Sequence, residues 1–340
     1  MRLFSCPACR GTLFFENLRC VCGAEVAFDP EAAGFIAAED PCANRGPIGC
    51  NWVAEEPGAG VVAHPAPGMA RGRLCRSCAM TEVIPQAFED DNRALWARAE
   101  AAKRWVLANL ARWGWLASAD PGPRPRFHLL SETVRGGEAP VTMGHASGLV
   151  TINVTEADPA EIARRQAEMG EPYRTMIGHF RHELAHYLFE RLVEDAAFAD
   201  AFRALMGDER ADYGEALERH YGDGPPDGWE ERFVTAYASA HPHEDWAETV
   251  AHLLHLTDMA DSAEAAGLSL DGAPTPGWDA YAEPEAERLV GVAAGLGLGF
   301  NHVNRAMGLS DLYPFVLPPL AREKLAFAHA HLSAGPRPEG

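Results

Sequence analysis

The sequence has few basic residues for its acidic content: 29 lysines and arginines stand against 49 aspartates and glutamates, a formal net charge of −20. This balance argues against a protein whose main task is to bind phosphate backbones, so nucleic acid is not an expected partner. A long apolar run is also missing, because Leu289–Phe300 is rich in glycine and too short to span a bilayer. Met1–Arg10 contains two cysteines and a proline instead of the apolar region of a signal peptide. We therefore expect a soluble cytoplasmic protein that makes no membrane contact.

Cysteine is absent after Cys78, although eight cysteines lie between Cys6 and that position. Without an export signal, closely spaced cysteines indicate metal thiolates rather than disulfides. Two close pairs predict a zinc ribbon, in which thiolates from two tight turns complete a tetrahedron. Its ligands would be Cys6, Cys9, Cys20 and Cys22. The second pair is CxC, one residue shorter than the usual CxxC, which leaves the geometry of its turn open.

The remaining cysteines are enough for a second four-thiolate zinc site. They are Cys42, Cys50, Cys75 and Cys78. Their spacing is irregular, and the stretch Pro57–Pro67 between them, rich in Gly, Pro and Ala, indicates a loop. The alternative is four buried cysteines without a metal. Both zinc sites would be structural, since four thiolates leave no coordination position for a substrate.

The rest of the chain has the composition of a folded protein, with 47% hydrophobic and 23% charged residues over 340 positions. Apolar residues at spacings of three and four predict a long helix over Asp91–Trp113, which would link the cysteine-rich part to the next domain. Phe127–Leu130 and Leu149–Val154 are predicted strands. Further helices are predicted over Glu194–Tyr221, Glu230–Ala240 and Pro284–Leu309, with a closing helix that ends near Leu332.

The stretch Thr175–Val193 combines a helical apolar pattern with the motif HELAH at positions 182–186. Residues four apart lie on one face of a helix, so His182 and His186 can direct two imidazoles at one metal ion. Glu183 projects beside them and can activate water held by the metal. A five-residue pattern with two free positions also occurs by chance, so the prediction of a zinc site depends on a third ligand.

A catalytic zinc has three protein ligands and an open position for water. The metzincin pattern requires a histidine six residues after the second one, and Leu192 occupies that position. The gluzincin pattern takes a glutamate from a later helix, with a second carboxylate four residues further on. Glu244 and Glu248 have this spacing. We assign Glu244 as the ligand and Glu248 as the group that accepts a hydrogen bond from a liganding histidine, and the reverse assignment stays open.

These motifs resemble the gluzincin metallopeptidases, and the whole chain is similar to bacterial zinc-binding metallopeptidases that carry an N-terminal zinc-ribbon domain. The similarity rests on the runs FSCPACRGTLFFEN, CNW, AEAAKRW, GLVTINVTEAD, GEPYRTMIGHFRHELAHY, HPHEDWAETVAHLLH and MGLSDLYPF, which span nearly the full length. It implies an α+β fold, with a zincin-like, mainly helical metallopeptidase domain that contains a small sheet. The expected division is a zinc ribbon at 1–35, a second cysteine segment at 36–85, a linking helix at 86–120 and the peptidase domain at 121–335.

The chain is also similar to the catalytic end of anthrax lethal factor, in which a tyrosine stands seven residues before the ligand glutamate. Here Tyr237 stands seven residues before Glu244. The similarity implies that Tyr237 donates a hydrogen bond to the oxyanion formed as water attacks the peptide carbonyl. A buried helical tyrosine is the alternative.

The sequence therefore predicts a zinc metallopeptidase with one catalytic and two structural Zn²⁺ ions. We expect it to be an endopeptidase. Metal-activated water would cleave a protein or peptide substrate, with Glu183 as general base. The alternative is a zinc-stabilised adaptor or scaffold whose HExxH site is inactive or gated, and whose cysteine-rich part and acidic surface bind a protein partner. An adaptor has no need for Glu183, which favours the enzyme.

Overall fold

The computed structural model describes residues 1–55, 72–86, 90–134, 137–169, 174–269, 277–313 and 316–336, and the predicted loop Pro57–Pro67 lies outside these residues. The chain forms two compact units. The N-terminal unit comprises Arg2–Glu183 with Pro336–Gly340, and the C-terminal unit comprises Leu184–Gly335 with Met1. Small sheets occur in the N-terminal unit, and helices occur in both.

The cysteine-rich end of the N-terminal unit is built from short hairpins and helical turns. Its elements are β1 (Phe4–Ser5), β2 (Thr12–Leu13), β3 (Val26–Asp29), β4 (Gly34–Ala37), α1 (Arg45–Ile48) and α2 (Arg76–Ala79). β1 pairs with β2 and β3 pairs with β4, both antiparallel. The Phe28 ring lies 4.9 Å from the Phe15 ring and 5.4 Å from the Phe4 ring. Such short strands bury little surface, so aromatic packing contributes much of the core at this end.

A four-stranded sheet lies further along the N-terminal unit, in the order β5 (Thr81–Val83), β6 (Arg126–Leu130), β10 (Leu149–Asn153) and β9 (Gly144–Ala146). β5 and β10 run parallel to β6, whereas β9 is antiparallel to β10. The two predicted strands are confirmed as β6 and β10. Alternate side chains on both strands are fully buried, namely Phe127, Leu129, Val150 and Ile152. A small hairpin, β7 (Thr133–Val134) and β8 (Gly137–Glu138), follows β6.

The predicted long helix is confirmed as α3, Asp90–Ala111. It contacts α1, α2 and the 3₁₀ turn Val154–Ala157 that follows β10. The ring of Trp105 on α3 lies 5.4 Å from that of Phe15, so the helix joins the cysteine-rich end to the sheet. α4 (Pro159–Met169) packs on the same 3₁₀ turn. The next helix, α5 (Met176–Leu192), begins in the N-terminal unit and ends in the C-terminal unit.

The described residues of the C-terminal unit beyond α5 are mainly helical: α6 (Ala196–Met206), α7 (Tyr213–Asp223), α8 (Pro242–Ala265), α9 (Ala286–Ala306) and α10 (Pro319–Ser333). α8 contacts α6, α9 and α10 and is buried along most of its length, as a core helix. Trp246 Nε1 donates a hydrogen bond to Ala185 O at 2.9 Å, which joins α8 to α5. No helix within the described ranges combines the length and the apolar content that a bilayer span requires.

A buried ion pair connects α10 to the first turn of α8. Lys324 Nζ donates to Asp245 Oδ2 at 2.6 Å and to Arg232 O at 3.0 Å. Burial raises the pKa of Asp245 to about 6, although the Lys324 ammonium acts in the opposite direction. Asp245 adjoins Glu244 in sequence, so this pair holds the turn of α8 that carries the predicted metal ligand.

The prediction of a helix over Glu230–Ala240 was wrong, because this segment contains only short 3₁₀ turns at Trp229–Glu231 and Tyr237–Ser239. The Thr235 hydroxyl accepts a hydrogen bond from Ala238 N at 3.0 Å and donates one to Glu248 Oε2 at 2.8 Å. Local side-chain bonds of this kind compete with the backbone bonds of a helix.

The predicted helix over Glu194–Tyr221 is divided into α6 and α7. α6 ends at Met206 and is followed by its C-cap Gly207, whose φ of 106° is strained for any residue with a β-carbon. α7 then begins after Asp212, which accepts a hydrogen bond from Glu215 N at 2.9 Å as an N-cap.

Candidate metal centres

The ribbon cysteine set, Cys6, Cys9, Cys20 and Cys22, has its sulfurs within 4.8 Å of one another. Each pair lies on a tight turn: Arg10 N donates to Cys6 O at 2.9 Å, and Gly23 N donates to Cys20 O at 2.9 Å. Gly23 has a φ of 91°, a left-handed conformation that glycine adopts without strain. The CxC turn therefore closes although it is one residue short.

The second cysteine set, Cys42, Cys50, Cys75 and Cys78, also lies within 4.8 Å, and all four side chains are buried. Backbone N–H groups point at its sulfurs, because Cys75 N donates to Cys42 Sγ at 3.3 Å and Cys78 N donates to Cys75 Sγ at 3.5 Å. Burial disfavours the charged form of the Arg104 guanidinium. The negative charges on the sulfurs of Cys50 and Cys78 nevertheless raise the pKa of Arg104 overall. Donors and a buried cation stabilise thiolate, the form of cysteine that binds metal.

The donors of both cysteine sets fit zinc, for which four thiolates are a common tetrahedral ligand set. All eight cysteines are free of disulfides. A closed set of four thiolates stabilises a fold and has no position for substrate. The third group of candidate ligands, on α5 and α8, has different chemistry.

The helix α5 presents the HExxH motif as predicted. His182 and His186 lie one turn apart on one side of the helix, and Glu183, between them in sequence, is only 7% exposed. Fully or nearly buried apolar residues on α5, among them Phe180, Leu184, Tyr187 and Leu188, fix the rotation of the helix about its axis.

A buried carboxylate anchors the first turn of α5. His179 Nε2 lies 2.8 Å from Glu156 Oε2, whose carboxylate also accepts hydrogen bonds from Arg165 and Arg174. Burial disfavours the charged form of Glu156, but its bonds to His179 and Arg174 lower its pKa overall. His179 therefore orients the helix and stands apart from the group of candidate ligands.

Glu244 lies in the first turn of α8 and is 1% exposed. Its Oε1 atom is 3.6 Å from His186 Nε2. The candidate ligand atoms of His182, His186 and Glu244 all lie within 4.8 Å of one another. Two imidazoles and one carboxylate are the donor set of several catalytic zinc sites, and three protein ligands leave a position open. The residues therefore fit the metal.

Glu248 lies one turn after Glu244 on α8 and is not a member of this group of ligand residues. Glu248 Oε2 accepts the Thr235 bond described above and is 3.9 Å from His252 Nε2. Tyr237 begins a 3₁₀ turn that contacts α8. Burial and then the charge of Glu244 raise the pKa of Tyr237, so its hydroxyl stays protonated and can donate a hydrogen bond.

Tyr213 was not among the residues predicted from the sequence, and its hydroxyl donates to Glu244 Oε1 at 2.7 Å. The residues Asp212 and Glu215 have the spacing of a capping box and could have indicated a helix that starts at Tyr213. Nothing in the spacing could have shown that this tyrosine reaches a carboxylate 31 residues later. The ring of His243 lies 6.4 Å from that of His186. Burial and the charges of His186 and His241 lower the pKa of His243 to about 4, so its imidazole is neutral at pH 7.

Comparisons with known proteins bear on both ends of the chain. A family model described as "Putative zinc-binding metallo-peptidase" matches residues 92–331, and a zinc-ribbon domain model matches residues 3–44. Three curated relatives, named as uncharacterized proteins of Mycobacterium bovis and of two strains of Mycobacterium tuberculosis, are each 39% identical over 343 residues. These matches cover 97% of this chain and 94% of each relative. No solved structure matches the chain.

Proposed function

The chain belongs to the putative zinc-binding metallo-peptidase family, whose model matches residues 92–331, and we propose that it hydrolyses peptide bonds with a gluzincin-type zinc site. His182, His186 and Glu244 would hold the catalytic zinc, and the two cysteine sets would each hold one structural zinc. The observation that carries this proposal is the grouping of these two imidazoles and one carboxylate within 4.8 Å on α5 and α8. We propose a zincin-like fold for the part of the chain that carries α5 and α8.

A zinc ion in such a site supplies a Lewis acid that polarises the scissile carbonyl and makes water more acidic. The chain's own residues would move the protons. Glu183 directly follows His182 on α5, and as general base it would take a proton from the attacking water and pass it to the nitrogen of the leaving amine. Glu248 would accept a hydrogen bond from a liganding imidazole and so fix its tautomer.

Tyr237 would donate a hydrogen bond to the oxyanion that develops on the carbonyl oxygen. Its raised pKa supports this role, because a donor must stay protonated at the working pH. Tyr237→Phe should lower kcat by about 10²–10³-fold with little change in KM, since the bond would strengthen only in the transition state. Steady-state kinetics of this variant beside Tyr221→Phe, which removes a hydroxyl from a 69% exposed ring, is the measurement. An unchanged kcat for Tyr237→Phe would leave the tyrosine as a packing residue.

The proposed activity can be tested without a known substrate. Zinc-loaded wild type and the His182→Ala/His186→Ala variant would each be incubated with a peptide library prepared from a proteolysed bacterial extract. We expect new peptide termini, read by mass spectrometry, with the wild type and none with the variant. The same termini from both proteins would point to a contaminating protease. No new termini from either would favour the adaptor hypothesis.

A further inference from the structure

Tyr213 is held against the first turn of α8 by contacts that do not involve its hydroxyl. Its ring meets the His241 ring edge to face, with centroids 5.3 Å apart. His241 is 3% exposed and is the N-cap of α8, where its Nδ1 accepts a hydrogen bond from His243 N at 3.1 Å. Its Nε2 therefore carries the proton and donates to Ala211 O at 3.1 Å. The chain segment before α7 is thus tied to the start of α8.

The Tyr213 hydroxyl reaches a carboxylate that has almost no contact with water. Glu244 is 1% exposed, whereas Tyr213 is 43% exposed, so burial of its ring does not account for its position. The hydroxyl bonds to Glu244 Oε1 at 2.7 Å, and the same oxygen lies 3.6 Å from His186 Nε2. One oxygen of Glu244 is therefore directed at once towards a phenol and towards a candidate metal ligand.

A glutamate side chain has three rotatable bonds, and its carboxylate can bind a metal through one oxygen or two. A hydrogen bond to one oxygen restricts this freedom and removes orientational entropy before the metal binds. We propose that Tyr213 is a positioning residue, which holds the Glu244 carboxylate towards His186 and so strengthens zinc binding at the α5–α8 group. This inference rests on the proposed function, since it assumes that Glu244 is a zinc ligand.

The test is a zinc titration of wild type, Tyr213→Phe and Tyr221→Phe, each competing with a chelator of known affinity. Tyr221 lies on the same helix and is 69% exposed, so its variant is a matched control for the loss of a phenol oxygen. The third zinc is the ion expected at His182, His186 and Glu244. Tyr213→Phe should bind this zinc about 10–100-fold more weakly than wild type. It should keep the two zincs of the cysteine sets and the circular dichroism of wild type, which shows that the chain is folded. Tyr221→Phe should match wild type throughout.

A second measurement replaces the third zinc by Co²⁺ and keeps zinc in the two cysteine sets. A changed ligand geometry alters the visible absorption of Co²⁺, whereas a general loss of stability does not. We expect the Tyr213→Phe spectrum to differ from that of wild type and Tyr221→Phe. The same affinity and the same Co²⁺ spectrum in Tyr213→Phe as in wild type would overturn the positioning role alone. A wild type that binds no third zinc would overturn the proposed function as well, and this is seen before any variant is compared.

Discussion

Glu183→Gln should abolish measurable peptide hydrolysis while all three zincs stay bound. The substitution preserves the size of the side chain and its place on α5, but an amide cannot accept a proton from water. Loss of general-base catalysis costs about 10²–10⁴-fold in kcat. His182 and His186 are unchanged, so the affinity for zinc at this group should remain that of wild type. The measurement is kcat on a peptide identified from the library, with zinc per chain determined on the same sample.

Glu190→Gln is the matched control for this prediction. Glu190 lies two turns later on α5 and is exposed, so the same chemical change there should leave kcat unaltered. If Glu183→Gln cleaved at the wild-type rate, Glu183 would not be the general base. If it lost the third zinc, its effect on rate would no longer report on proton transfer, and Glu183 would count among the residues that maintain the metal group.

Cys50→Ser should lose one zinc and destabilise the N-terminal unit by more than about 4 kcal/mol. Cys50 is fully buried, and its sulfur lies 3.6 Å from that of Cys75 and 3.8 Å from that of Cys78. Without the metal, three thiol groups and the Arg104 cation would remain buried, and an unbalanced buried charge is costly. Zinc per chain and the midpoint of denaturant unfolding measure the two effects.

Cys22→Ser provides the comparison at the ribbon cysteine set. It should also lose one zinc, but it should cost less stability, because Cys22 and Cys9 are exposed and only Cys6 and Cys20 would remain as buried thiols. Three zincs bound to Cys50→Ser would contradict a metal site at the second cysteine set. If the two variants lowered the free energy of unfolding equally, burial of the cysteines would not explain how much each zinc site contributes to stability. The second set needs this test most, since Cys50, Cys75 and Cys78 lie outside both family-model matches.

Local sequence patterns predicted the elements on which the candidate sites lie. The apolar spacing around HELAH predicted α5, and alternation with flanking turns predicted β6 and β10, because burial of one face leaves a periodic trace in the sequence. The number and spacing of the cysteines predicted two sets of four thiolate ligands, and the sulfurs of each set lie close together in the structure. The zinc-ribbon resemblance is confirmed by a family model over residues 3–44.

The division of the helix predicted over Glu194–Tyr221 reflects the local features of Gly207 and Asp212, whereas the other differences involve contacts between separate segments of the chain. Thr235 bonds to Glu248 on α8, and this helped to replace the helix expected over Glu230–Ala240 with short turns. Glu244 and Glu248 are four residues apart on one helix, so spacing could not choose between them. The grouping of Glu244 with His182 and His186 supports its assignment as the ligand. Tyr213 left no sequence signal of its bond to Glu244, because that bond depends on how α7 meets α8.

The most direct test of a zinc site on α5 and α8 is the zinc content of purified wild type beside that of His182→Ala/His186→Ala, measured by inductively coupled plasma mass spectrometry. The cysteine sets are untouched in this variant and serve as an internal standard. We predict three zincs per chain for wild type and two for the variant. Two zincs in both proteins would contradict a metal centre at the HExxH helix, and with it the proposed peptidase mechanism.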